Sequence, residues 1–201
     1  MCGIVAIFAY GAGARPADPD ELRRIRDRMA RRGPDGAGEW LSDDGRVALG
    51  HRRLSIIDLR SIADQPMAHD GGRLRIVFNG EIYNYKALRD ELTQKGHVFR
   101  TTSDTEVILQ LYDREGPACV RRLRGMFAFA LWDQVRGGML LARDPLGIKP
   151  LYVADDGKTL RIASQVKALL AGGAIDTRPE PAGHAGFFLW GNIPDPYTLY
   201  R

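Results

Sequence analysis

GIVAIFAY, residues 3–10, decides how this chain folds. It carries no charge and is apolar at odd and even positions alike, so as a strand it has no face to show to water. Such a strand belongs in the middle of a sheet. Four further stretches read as pairs of short strands around tight turns: EWLSDDGRVALGH (39–51), PMAHDGGRLRIVFNG (66–80), FALWDQVRGGMLLAR (129–143) and YVADDGKTLRIAS (152–164). Their central Asp and Gly residues are turn formers. Hairpins of this kind build largely antiparallel sheets.

Helical stretches lie between the hairpins. DPDELRRIRDRMARRG (18–33) places Leu22, Ile25 and Met29 on one stripe, with Asp18 as cap, Pro19 at the first position and Gly33 at the end. NYKALRDELTQKGH (84–97) aligns Tyr85, Leu88 and Leu92, with Asn84 as the expected cap and Gly96 as the stop. SDTEVILQLYDREGP (103–117) opens on an expected capping box, Ser103 to Glu106, and aligns Val107, Ile108, Leu111 and Tyr112. ACVRRLRG (118–125) adds a further turn or two. Sheets too apolar to face water and helices to cover them make an α+β domain. From Asp176 to Arg201 proline and glycine are frequent and no period persists, so residues 1–175 form the expected domain and 176–201 a linker or docking tail. The tail stops among accumulating aromatics, which suggests a boundary within a longer protein.

Composition excludes several classes. The 201 residues, 44% hydrophobic, fit one globular domain. No run approaches the ~18 apolar residues of a membrane span, and the start lacks the basic region of a secretory signal. With two cysteines a disulfide framework is excluded, and a reducing cytoplasm is the expected location. Much of the net charge of +4 lies between Arg23 and Arg32. Asp20, Glu21 and Asp27 are mixed in and aromatics are absent, so a solvated face is expected there and not a nucleic-acid surface. His51, His69, His97 and His184 lack metal-ligand spacing, and no metal site is expected.

Cys2 stands out by position. A thiol elsewhere reads as a packed hydrophobe, as Cys119 does. Behind the initiator, Cys2 gains an α-amino group once Met1 is removed. Such an amine, with a pKa near ~7.7–8.0, can take the proton of its own thiol. Gly3 leaves room for close backbone approach. In RIVFNGEIYN (75–84) a strand is expected to end at Asn79-Gly80 before a helix. The pair offers an amide and an open N–H to an oxyanion, although Asn-Gly is equally a common tight turn. Arg53 has a planar fork suited to a carboxylate. Asp104 is surplus to the capping box; compensation of the helix dipole explains it, and so does binding an ammonium. Arg53 and Asp104 together would read both charged groups of a free α-amino acid.

The blocks MCGIVAIF, RRGPDG, GHRRLSIIDL, QPM, NGEIYNY, SDTEVIL, RGMFAFALWD and RDPLGIKPLY run in order along the chain. In these the sequence resembles the class II glutamine amidotransferase domain of the N-terminal nucleophile hydrolases, above all the glutaminase half of glutamine-hydrolysing asparagine synthetases. The resemblance implies a four-layer αββα sandwich of two stacked, mainly antiparallel sheets. It implies Cys2 as nucleophile, Asn79 and Gly80 as oxyanion hole, Arg53 on the α-carboxylate of L-glutamine and Asp104 on its ammonium. Leu54, Ser55, Ile56, Ile57 and Glu81 would complete the pocket through backbone groups. It further implies no cofactor in this chain, with ATP and magnesium confined to a separate synthetase domain as partner, and it allows a homodimer. RDPLGIKPLY reads as a structural or coupling turn. Gln165 stands where relatives usually carry glutamate, which puts a polar contact behind the site or at the domain junction in question. The rival reading is a silent copy of the fold kept for docking or regulation.

Overall fold

The computed structural model describes residues 1–201 and contains two antiparallel sheets. In the first, β1 (Gly3–Ala9) is the central strand, as its two apolar faces require. The order is β2 (Gly36–Leu41), β3 (Val47–Arg53), β1, β9 (Thr159–Ala163), β8 (Tyr152–Asp155). The second sheet runs β4 (Met67–His69), β5 (Leu74–Ile82), β6 (Gly125–Asp133), β7 (Gly138–Arg143). All four expected hairpins form. At the β2–β3 turn Gly45 has φ +68°, and the Asp44 carboxylate accepts the Arg46 N–H at 3.0 Å.

Period-2 alternation then sets the layers. On β1, Val5 and Ile7 pack outward against Leu22 and Ile25 of α1 (Pro19–Asp27) and Ala168 and Leu169 of α4 (Val166–Gly172). Ile4 and Ala6 point inward, onto Val77 of β5 and Ala128, Ala130 and Trp132 of β6. The outer face of the second sheet presents Ile76, Phe78, Phe127, Phe129 and Leu131. These meet Leu88 and Leu92 of α2 (Tyr85–Gln94) and Val107, Ile108 and Leu111 of α3 (Asp104–Glu115). Three apolar cores thus separate four layers, helix, sheet, sheet, helix, and each fully buried Leu, Ile or Phe contributes about 1.5–3 kcal/mol.

The structure departs from the sequence expectations in six places. Asn79-Gly80 does not end a strand; β5 continues to Ile82. The α1 helix ends at Asp27, short of Gly33. Asn84 does not cap α2, because its side chain is drawn away to Arg122 and Arg124. The capping box does not close on itself: Ser103 Oγ accepts from Thr105 N, while the Glu106 carboxylate takes the N–H groups of Arg100 and Thr101. In the tail, Pro181–Trp190 forms a helix, α5, closed back by a bridge between Pro179 and Tyr200. Its FFLW end is exposed, Phe188 by 82%. The α1 arginines are not simply solvated either, since Arg23 and Arg26 both hold Glu39 of β2 at 2.7 Å.

Candidate active site

A cleft opens at one end of the sandwich, where β1 begins beside the end of β3. Met1, Cys2, His51, Arg53, Leu54, Ile56, Ile57, Gln65, Asn79, Gly80, Glu81, Asp104 and Lys149 are among its lining residues. Residues far apart in sequence converge there because β1 and β5 lie in facing sheets.

Cys2 is half-buried. The Leu54 N–H donates to its Sγ at 3.4 Å, and the Sγ–H reaches the Leu54 carbonyl at 3.6 Å. Arg32 fixes the backbone, donating from Nε to the Cys2 carbonyl at 3.0 Å. Burial lowers the Arg32 pKa, and the neighbouring Cys2 offsets part of that. Met1 stands in the cleft itself, one residue ahead of the thiol. Gly3 makes room for the turn that follows α1, since a Cβ there would lie 2.9 Å from Met29 Cβ.

Asn79 is 1% exposed, and its side-chain Nδ2 has no hydrogen-bond partner. Gly80 offers a second donor by register. Phe78 and Ile82, two residues to either side, donate N–H groups to the Gln65 Oε1 (2.6 Å) and Asp104 Oδ2 (3.0 Å), away from β6. Gly80 shares their parity, so its N–H faces the same open edge, and no side chain caps it. The missing side chain answers a different need: a Cβ at Gly80 would lie 2.4 Å from the Met126 carbonyl of β6. The glycine lets two strands close up.

Asp104 is buried at the start of α3. Desolvation raises its pKa, the Ile82 N–H opposes that, and Glu81 adds to the rise. Arg53 lines the cleft, yet its guanidinium is engaged: it pairs with Asp64 and donates to the Asp58 and Arg60 carbonyls, pinning the loop after β3. His51 is neutral, its pKa lowered to about 4 by burial, and its Nε2–H donates to the Phe78 carbonyl at 3.2 Å. Cys119 lies in the helix-side core with its thiol pushed up to about 12 by burial.

Of the residues expected at the site, only Ser55 stands outside the lining; its N–H goes to Asp35 Oδ2 at 2.8 Å. Gln165 lies on a neighbouring face with Arg32 and Lys167, making no capping bond to α4. Gln65, Arg32, His51 and Lys149 are the residues that sequence reasoning passed over. All four sat in the quoted blocks QPM, RRGPDG, GHRRLSIIDL and RDPLGIKPLY, but nothing local indicated a cleft.

A profile described as a glutamine amidotransferase domain matches residues 1–201. A protein of Mycobacterium tuberculosis assigned as a glutamine-hydrolysing asparagine synthetase is 43% identical over 216 residues, covering 100% of this chain and 33% of that protein. Glutamine-hydrolysing asparagine synthetase 1 of Bacillus subtilis is 39% identical over 200 residues, covering 99% of this chain and 31% of its own length. The chain therefore spans about a third of the length of these relatives. Among solved structures, the glutamine phosphoribosylpyrophosphate amidotransferase of B. subtilis superposes with a TM-score of 0.75 at 24% identity, over 90% of this chain and 46% of that one. This last likeness bears on the fold alone.

Proposed function

On the premise that this chain belongs to the glutamine amidotransferase domain family, we propose that its cleft hydrolyses the side-chain amide of glutamine through Cys2. The reading rests on one observation above the rest: a buried, unpartnered Asn79 amide lines the same cleft as the thiol. Leaving a polar group buried and unpaired costs about 1–3 kcal/mol, so its retention fits a donor that waits for a ligand oxygen.

In this reading Met1 is removed first, which frees the Cys2 amine and clears the cleft. The amine takes the thiol proton as Sγ attacks the side-chain amide carbon. Asn79 Nδ2 and the Gly80 N–H hold the resulting oxyanion. Collapse breaks the C–N bond, the amine returns its proton to the departing nitrogen, and ammonia leaves a γ-glutamyl thioester. Water, deprotonated by the same amine, releases glutamate and restores the thiol. Asp104 receives the substrate ammonium. Arg53 receives the α-carboxylate, exchanging it for Asp64. Residues 1–175 do this chemistry, and 176–201 act as a docking tail. The ammonia passes to an asparagine-synthetase-type amidation that uses ATP and magnesium, in the part of such proteins that this chain does not span. The setting is the cytoplasm, where a free thiol persists.

The experiment is glutamate release from glutamine by wild type and Cys2→Ala, with intact mass recorded on the same material. Wild type lacking Met1 is expected to be active and Cys2→Ala inactive. Full activity in Cys2→Ala, or in protein retaining Met1, would overturn the mechanism.

A further inference from the structure

Lys149 is only 7% exposed, yet it lines the cleft. Both of its polar contacts are made by backbone: its N–H donates to Asp144 Oδ2 and its carbonyl accepts from Arg143 Nε, each at 3.0 Å. No carboxylate pairs with the ammonium. The stem is buried while the ammonium reaches the open cleft, and an unpaired cation held there is placed to meet negative charge.

Two independent constraints place it. Asp144 accepts the N–H groups of Phe127, Leu146, Ile148 and Lys149 at 2.9–3.2 Å. Burial alone would raise the Asp144 pKa; these donors outweigh it and the net shift is downward. Because Phe127 pairs with Gly80, this carboxylate ties the β7–β8 crossing to the strand beside Gly80. From the other sheet, Tyr152 pairs with Ala163 and Ala163 with Val5, so β8 runs parallel to β1 with Tyr152 level with Val5. Lys149 precedes Tyr152 by three residues as Cys2 precedes Val5, so both stand at the same end of this sheet, with β9 between their strands.

The charged groups around Cys2 come from every neighbouring element. Arg32 is committed to the Cys2 carbonyl, Arg53 to Asp64, and His51 is neutral. Glu81 and Asp104 bring negative charge to the same cleft. Beside the Cys2 α-amine itself, Lys149 is the cation in the cleft left without a carboxylate partner. We infer that the Lys149 ammonium stabilises negative charge on Cys2 Sγ, making it a positioning residue for the nucleophile. Its role in turnover rests on the hydrolytic reading above, while its effect on the thiol can be measured without substrate.

The measurement is the rate of Cys2 alkylation by iodoacetamide against pH, localised by peptide mass, in Met1-free wild type, Lys149→Met and Lys149→Arg. Cys119, buried and pushed up to about 12, stays silent. Loss of a nearby opposite charge is expected to move the midpoint up by about one pH unit or more. Lys149→Arg keeps the wild-type midpoint, which a merely structural role for the side chain would not predict. A folded Lys149→Met with an unmoved midpoint overturns the inference; should that variant not fold, Lys149→Gln is held to the same criterion. Glutamine hydrolysis is followed in parallel. An unmoved midpoint in an active enzyme sinks the inference alone. A shifted midpoint in a wild type that releases no glutamate sinks the hydrolytic reading and leaves the charge effect standing.

Discussion

Asn79 and Asn84 lie five residues apart in one stretch, NGEIYN, and the fold treats them in opposite ways. Asn84 is fully used: its Nδ2 donates to the Arg122 carbonyl and its Oδ1 accepts the Arg124 N–H, both at 2.9 Å. It staples the start of α2 to the segment that leads into β6. Asn79 is more deeply buried, and its Nδ2 meets nothing. A satisfied amide holds structure together, whereas an unsatisfied one costs stability and is kept for a ligand. A related contrast separates two cationic side chains. Arg161 is paired with Glu21 (2.6 Å) and Asp156 (3.0 Å), while Lys149 pairs with no one.

The contrast is sharpest in kinetics. Asn79→Ala is expected to lower kcat for glutamine hydrolysis by about 10²–10³, the usual loss for one oxyanion donor. Its thermal midpoint should not fall, because no hydrogen bond is lost. A variant that unfolds early while keeping kcat would reverse the assignment of the two asparagines.

Asp104→Asn comes next. Removing the charge that meets the substrate ammonium should raise KM about tenfold or more, by the weight of a hydrogen bond to a charged group. Stability should move the other way. The folded Asp104 carboxyl keeps its proton to higher pH than the unfolded one, since burial raises its pKa. Its ionisation therefore costs stability as pH rises through the folded value, and the cost is absent below the unfolded value. Asparagine removes it, so the thermal midpoint should rise at neutral pH and converge with wild type in acid. Equal midpoints at neutral pH would remove Asp104 from the set of groups held at a cost.

Asn84→Ala is expected to have the smallest effect on turnover. It removes one part-buried and one exposed hydrogen bond and should destabilise by about 1–2 kcal/mol, read from chemical denaturation. In the folded protein kcat/KM should match wild type. A selective loss of activity would mean that the α2 staple also shapes the cleft.

What was legible in the chain follows from range. GIVAIFAY read as a central strand, and DDG, DGG, RGG and DDG read as hairpin turns, because burial period and turn chemistry act between residues a few places apart. Two of the misreadings involve a side chain with a choice of partners. Asn84 has a sound capping signature, but Arg122 and Arg124, 38 and 40 residues away, take it. Glu106 should close on Ser103 and instead gathers Arg100 and Thr101. The FFLW helix sits in a segment whose prolines and glycines hide its period.

The site divides along the same line. Cys2, Asn79, Gly80, Arg53 and Asp104 were named from residue type, position and resemblance, and all five line one cleft. The chain by itself determined the hairpins, the central strand and the helices that cover the sheets, and which side chains can do chemistry, since those depend on covalent identity and near neighbours. Only the tertiary structure decided which polar groups go without partners. The Asn79 amide became distinctive when two facing sheets closed around it and left its Nδ2 with nothing to bind, and the Lys149 ammonium when the fold brought it into the cleft without a carboxylate, because hydrogen-bond satisfaction is a property of the packed surroundings and not of the sequence alone.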